Sequence, residues 1–214
     1  MKTSEVIAGA AGIVLFAGAV LALAPELQLG RQAPPEKLAR YSPAEARGRQ
    51  TYVDLGCVYC HSQQPRDRRQ APDGERGWGR ASTPGDYAYD SPHLLGTMRT
   101  GPDLLNIGAR QPSDDWHLLH LYQPRALTKG SIMPAYPFLF QEIADTALRP
   151  ADVVVKVPAP YGPPAGRVVV ASDEANDLVA YLKGLNRTYD THELPSQSTT
   201  APGTSVSSAQ EATP

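Results

Sequence analysis

Both cysteines of this chain fall within one five-residue group, Cys57-Val58-Tyr59-Cys60-His61, which a histidine closes. Two thiols and an imidazole at this spacing could make a disulfide, part of a zinc site, a redox dithiol or the covalent anchor of a haem. Cys-x-x-Cys-His is the attachment signature of a c-type haem. In a helical turn the three positions are i, i+3 and i+4, which share one face. The thiols can then meet the two vinyl groups on one porphyrin edge while His61 reaches the iron. The rival chemistries lack partners. A structural zinc site takes four ligands, commonly from two paired sets, and no second cysteine pair is present. His117 and His120 are too close together for the second half of a zinc motif. A thioredoxin-like dithiol expects a βαβ setting, which the flanking residues do not offer.

An iron held by His61 needs a sixth ligand or an open position. Apart from Met1, the thioethers are Met98 and Met133, and the other imidazoles are His93, His117, His120 and His192. Met133 sits in the Pro-punctuated loop "SIMPAYPFL", downstream of the motif. A thioether there would stabilise ferrous iron and raise the reduction potential; a core-filling methionine is the competing reading. Met98, beside Arg99 in "GTMRTGPDL", suits a surface loop. His117 and His120 read as partly buried structural or surface histidines on one face of a short helix. The segment "RTGPDLLNIGAR" adds support. A metal-bound histidine commonly gives its other ring N–H to a carbonyl or carboxylate. The Pro102 carbonyl can take that role for His61, and Leu104 can pack on the ring. Arg99 and Arg110 are candidate partners of haem propionates, with solvated surface arginines as the alternative. Arg66, Arg68, Arg69, Arg76 and Arg80 read as an exposed loop, or more sharply as a docking face for an acidic partner.

The elements that must position these groups follow from local pattern. Ser42-Pro43-Ala44-Glu45 combines an N-cap serine, proline at N1 and glutamate at N3, and predicts a helix from Pro43 to about Leu55 with Gly56 past its end. Residues 62–115, rich in Gly, Pro, Asp and Ser, read as loop and turns. "DDWHLLHLYQ" predicts a short helix over Asp114–Gln123, with Trp116, Leu118 and Leu119 toward the core. Ser172 caps a helix from Asp173 to about Leu185, with Leu178, Val179, Leu182 and Leu185 as its apolar stripe. Two β-branched runs flank a Pro/Gly turn over Val153–Val170 and suggest a small hairpin or an irregular excursion. A helix into the cysteine motif, a loop-rich middle and a closing amphipathic helix form the layout of a small all-α cytochrome c domain. Gly 18 and Pro 21 in a chain of 214 residues agree with such a loop-rich body. A formal net charge of −2 gives no reason to expect a nucleic-acid partner.

Upstream, Val6–Ala24 carries no charge. As a helix it would span roughly 28 Å, near the thickness of a bilayer core. Ala22-Leu23-Ala24 has the form of a signal-peptide cleavage site, but the apolar run exceeds a usual h-region and Pro25 follows it. An uncleaved anchor is the expectation. The division expected is 1–24 anchor, 25–41 linker, 42–190 haem domain and 191–214 disordered tail. Arg31, Lys37 and Arg40 after the span outnumber Lys2 before it, against the positive-inside tendency.

The order of motifs resembles the membrane-anchored mono-haem c subunit (subunit II) of cbb-type, C-family haem–copper cytochrome c oxidases. The residues that carry the resemblance are Gly56-Cys57-Val58-Tyr59-Cys60-His61-Ser62-Gln63, Tyr89-Asp90-x-Pro92, Arg99-Thr100-Gly101-Pro102-Asp103-Leu104, Trp116-His117-x-x-His120-Leu121, Pro124-Arg125 and Met133-Pro134-Ala135-Tyr136-Pro137. Together they cover about Tyr41 to Leu139, and the anchor and the closing helix match by order. The resemblance implies a class I cytochrome c fold, one covalently bound haem c, and His61 and Met133 as axial ligands. It also implies a single-pass subunit of the bacterial inner membrane with its haem domain on the periplasmic side. Its partners would be an electron-donor cytochrome, other cytochrome c subunits and the oxygen-reducing catalytic subunit. No bond chemistry is expected in such a chain itself, which would be a subunit of an oxidoreductase, a cytochrome c oxidase. The c subunit of a related complex such as nitric oxide reductase is the nearest alternative, and a haem-based sensor or peroxidase is one of another class. Residues 66–85 match the family pattern loosely, and 153–170 depart from it.

Overall fold

The computed structural model describes residues 2–29 and 33–189; the expected tail 191–214 and His192 lie outside them. The N-terminal helix runs through α1 (Thr3–Gly18), a wider π-type stretch at Ala19–Leu23, and α2 (Ala24–Leu29). Pro25 explains the wide stretch. It has no N–H for the Leu21 carbonyl, and Ala24 N–H reaches back to the Ala19 carbonyl instead. The segment Thr3–Gln28 is long and apolar enough to cross a membrane, and none of its most apolar window is buried against the rest of the chain. The helix thus continues past Ala24, and the folded body starts before residue 42. Leu38 is buried, and the Tyr41 ring meets Tyr181 edge-on at 5.6 Å.

The body is organised by a crossing of two helices. α3 (Pro43–Asp54) begins with the expected capping box: the Ser42 hydroxyl accepts from Glu45 N–H, and the Glu45 carboxylate accepts from Ser42 N–H at 2.7 Å. α7 (Asp173–Gly184) is capped by Ser172. It buries Leu178, Val179, Leu182 and Leu185, together with Ala175 and Tyr181. The two helices pack at Gly48, whose missing side chain lets the Asp177 carbonyl approach α3. Tyr52 and Tyr181 meet edge-on at 5.5 Å beside that crossing. Between them lie α4 (Ile107–Arg110), α5 (Asp114–Tyr122) and α6 (Pro124–Leu127). Gly108 repeats the device against the Lys183 carbonyl, and its N–H donates to Leu185 O at 2.9 Å. On α5 the buried side chains are His117, Leu118 and Leu121, whereas Trp116 and Leu119 are half-buried.

The domain is not all-α. Three antiparallel strands, β1 (Phe140–Ala144), β2 (Val154–Val155) and β3 (Arg167–Ala171), lie in the order β1-β3-β2, with Phe140 opposite Ala171 and Val154 opposite Val170. The β2–β3 pair is the hairpin suggested by the two valine runs. β1 carries no comparable signal, since "FQEIA" holds a single β-branched residue. It becomes a strand because β3 has a second edge to pair. That pairing places the chain from Met133 against the core, and Ser172 N–H donates to Leu139 O at 3.1 Å.

The loop-rich region is tied down by buried charge. Asp86, 1% exposed, accepts from the two terminal Arg80 guanidinium nitrogens at 2.7 and 2.8 Å, the Thr83 N–H at 2.7 Å and the Tyr189 hydroxyl at 2.9 Å. Burial pushes its pKa up, but the Arg80, Thr83 and Tyr189 donors outweigh it and the net shift is downward. A carboxylate depressed in the folded state stabilises fully above its unfolded value, about 3.9. That contribution is lost as pH falls through the lower folded value. Asp86→Asn is expected to lower stability at pH 7 by roughly 2–4 kcal/mol, because Arg80 is left without its counter-charge. Urea unfolding at pH 7 and pH 3 checks this: the gap between variant and parent should shrink in acid. An equal gap at both pH values would show that the charge is not what stabilises.

Candidate haem site

α3 stops at Leu55, and Gly56 takes a left-handed conformation with φ of 69°. This turns the chain so that Cys57–Tyr59 form a tight 3-10 turn. The Cys57 carbonyl accepts from both Cys60 N–H (3.1 Å) and His61 N–H (3.0 Å), so the motif forms one hydrogen-bonded turn. Cys57 is half-buried and Cys60 exposed. Burial pushes the Cys57 thiol up to about 11. A thiol held protonated is a poor nucleophile for disulfide exchange, which counts against a redox dithiol.

His61 is oriented from the opposite side by the segment 99–104. Its Nδ1–H donates to the Pro102 carbonyl at 2.7 Å, which leaves Nε2 as the nitrogen with a free lone pair. Burial lowers its pKa despite that bond, so the ring is neutral, as a metal ligand must be. The segment is stapled on both sides of the histidine: Gly101 N–H donates to Cys60 O (2.9 Å) and Leu104 N–H to Ser62 O (2.8 Å). Fully buried Asp103 accepts from the Ser62 hydroxyl and Gln64 N–H, both at 2.6 Å. Gly101 lies so close to the imidazole that a Cβ there would overlap it.

The arginines divide. Arg99 is committed to structure, with one guanidinium nitrogen 2.7 Å from both oxygens of buried Asp73 and others on Gln64 O and Ser62 Oγ. Arg110 donates through Nη2 to the Asp103 carbonyl at 2.5 Å, while its Nε is buried without a partner among the described residues. Arg110 is close enough for its charge to act on His61. The surface cluster is largely self-neutralised, for Arg68 pairs with Glu75, Arg69 with Asp67 and Arg80 with Asp86.

The loop after α6 is pinned to α5, as Tyr136 N–H donates to Leu121 O at 2.9 Å. Met133 is half-buried against the core, as are Cys57, Val58, Leu104, Leu119 and Tyr136. The methionine loop and the cysteine turn thus pack on the same core, and the Tyr136 phenol is raised by burial and then by Cys57 and Cys60. Met98 is 57% exposed. His117 is spent on structure, with its Nε2–H donating to Gln111 O at 2.8 Å. His120 differs: its ring stacks on Trp116 at 4.7 Å and 7°, and its buried Nδ1 has no partner among the described residues. Burial, then His117 and His61, bring its pKa down to about 4. The Asp73, Ser62 and Asp103 supports and the Trp116–His120 stack went unassigned from sequence, because only the fold brings 62–64, 73 and 99–103 together.

The donor set fits a haem. Two thiols and a neutral imidazole share one turn, a thioether loop lies beside it, and a half-buried arginine has an orphaned N–H. The chain matches the family described as cytochrome C oxidase, mono-heme subunit/FixO, over residues 2–176. No curated protein matches it. With most of its length inside that match, the chain belongs to the mono-haem subunit family of cytochrome c oxidase, as the motif resemblance implied.

Proposed function

We propose that this chain, as a mono-haem subunit of cytochrome c oxidase, is the electron relay on the periplasmic side of a bacterial inner membrane. It would pass electrons from a donor cytochrome, through other cytochrome c subunits or directly, to the oxygen-reducing catalytic subunit. The observation that carries this reading is the 2.7 Å bond from His61 Nδ1 to the Pro102 carbonyl. It fixes the tautomer and aims one lone pair away from the loop, out of the turn that bears both thiols. Cys57 and Cys60 would attach the porphyrin by thioethers, and His61 and Met133 would be the axial ligands of a class I cytochrome c domain. Leu104 would cover the proximal face, and Arg110 would meet a propionate with its orphaned Nε–H.

When bound, the haem supplies one reversible electron. The chain's residues hold its ligands fixed so that little reorganises between the two oxidation states. The stapling of 99–104 to Cys60 and Ser62 serves that purpose, as does the pinning of the methionine loop to Leu121. With both His61 and Met133 holding the iron, no position would remain for a substrate, which would separate a relay from a sensor or peroxidase. α1 and α2 would fix the domain at the bilayer.

The test is spectroscopic. Ferric wild type should show the far-red Met–Fe(III) band, and ferrous wild type should not bind carbon monoxide readily. Met133→Ala should lose the band, gain carbon monoxide binding and lower the midpoint potential, because the thioether favours ferrous iron. Ready carbon monoxide binding by the reduced wild type would overturn the relay reading.

A further inference from the structure

His120 is the one histidine of α5 that the structure leaves unexplained. His117, one turn earlier, gives its N–H to Gln111 O. Nδ1 of His120 is sealed from solvent and has no partner among the described residues, whereas Nε2 is not sealed. Its orientation is nevertheless fixed by the parallel stack on Trp116. A sealed ring nitrogen without a partner costs stability whether it carries the N–H or the lone pair. A partner for Nδ1 is therefore missing from the described protein atoms, and an acceptor there would hold the proton on Nδ1 and turn the Nε2 lone pair to solvent.

Two features say where it comes from. His120 lies on α5 between Leu119, which packs on the same core cluster as Cys57, Leu104 and Met133, and Leu121; its charge and that of His61 also act on each other. The next residue, Leu121, anchors the methionine loop through Tyr136 N–H. Resting on the reading of Met133 as sixth ligand, we propose that His120 is a positioning residue: its ring N–H donates to the Met133 thioether and holds the sulfur on the iron. Of the unpartnered sealed nitrogens, those of Arg110 and His120 belong to groups whose charges act on His61, and these two divide by charge. Arg110, a cation, suits a carboxylate. His120, a neutral donor locked by an aromatic stack, suits a neutral sulfur, a weak acceptor that needs a well-aimed partner.

The experiment uses the full-length, haem-loaded protein and adds free imidazole to the ferric form, reading displacement of Met133 by loss of the far-red band. His120→Phe keeps an aromatic ring against Trp116 and removes the donor. Imidazole should displace Met133 roughly three- to tenfold more readily, the equivalent of one modest hydrogen bond. His120→Gln, which restores an N–H, should recover most of the wild-type resistance. Where His120→Phe fails to load haem, His120→Met against His120→Gln makes the same comparison. Unchanged imidazole affinity in the donorless variants overturns the proposal. So does a shifted midpoint potential with an unchanged band and affinity, which would place the bond on a propionate. A wild type without the band, or a Met133→Ala variant that keeps it, overturns the ligand assignment and this inference with it. A normal methionine band in wild type beside an insensitive His120→Phe overturns this inference alone.

Discussion

On the proposed ligation by His61 and Met133, Gly101→Ala is expected to convert a six-coordinate, low-spin haem to a high-spin, carbon monoxide-binding one, still attached through the cysteines if these anchor it as proposed. The glycine is required by proximity, not by backbone conformation. A Cβ would overlap Cε1 of His61 and lie 2.7 Å from Nδ1 and 2.8 Å from Nε2. No relaxation is cheap. The ring is bonded to Pro102, the next residue, and Gly101 N–H is bonded to Cys60 O. Moving either partner breaks the hydrogen bond that orients the ligand. Loss of a supporting partner alone typically weakens a metal site ten- to a hundredfold, and displacement of the ring goes further. The visible spectrum of the ferric protein and carbon monoxide binding to the ferrous protein measure this. A Gly101→Ala protein with wild-type spectra and potential would show that the proximal loop does not set the ligand.

Gly48→Val should unfold the haem domain, or leave it unable to mature, without touching the site. A Cβ at 48 would overlap the Asp177 carbonyl and lie 2.8 Å from Leu178 N. Both are backbone atoms of α7, so neither can rotate away, and the helices must separate. Separation strains the Tyr52–Tyr181 contact, the 2.9 Å bond from Gln63 Nε2 to the Tyr181 hydroxyl, and the Arg47–Asp177 pair. Overpacking by one methylene costs about 1–3 kcal/mol. Valine against rigid backbone should exceed that and remove much of a domain stability of roughly 5–15 kcal/mol. Gly48→Ala should fall between. Denaturant midpoints of the three proteins decide, and equal midpoints would remove the crossing from the account of stability.

Some of this molecule was legible residue by residue. The Ser42 box, the Gly56 stop, the Ser172 cap and the stripe on α7 are local signals, set by hydrogen-bonding capacity and periodicity within a few residues. The helix from Thr3 extends beyond the expected span because Pro25 disturbs one turn without ending the helix. β1 was not legible, since its pairing partner lies more than twenty residues away and its own residues have little strand preference. Arg99 and Arg110 looked alike in sequence. Only the fold put Asp73 against one and left the other with an unpaired nitrogen.

The sequence by itself determined the chemistry on offer: two thiols and an imidazole at the spacing of one turn, a thioether in a proline-held loop, and an apolar helix ahead of them. Spacing along the chain is a covalent fact, and it suffices for ligands that share a turn. The tertiary structure decided which nitrogen of His61 is free, which of Arg99 and Arg110 keeps a nitrogen without a partner among the described residues, and which of His117 and His120 does. Those outcomes depend on contacts between segments far apart in sequence, where burial turns each unmet hydrogen bond into a cost that the fold must either satisfy or leave for a ligand.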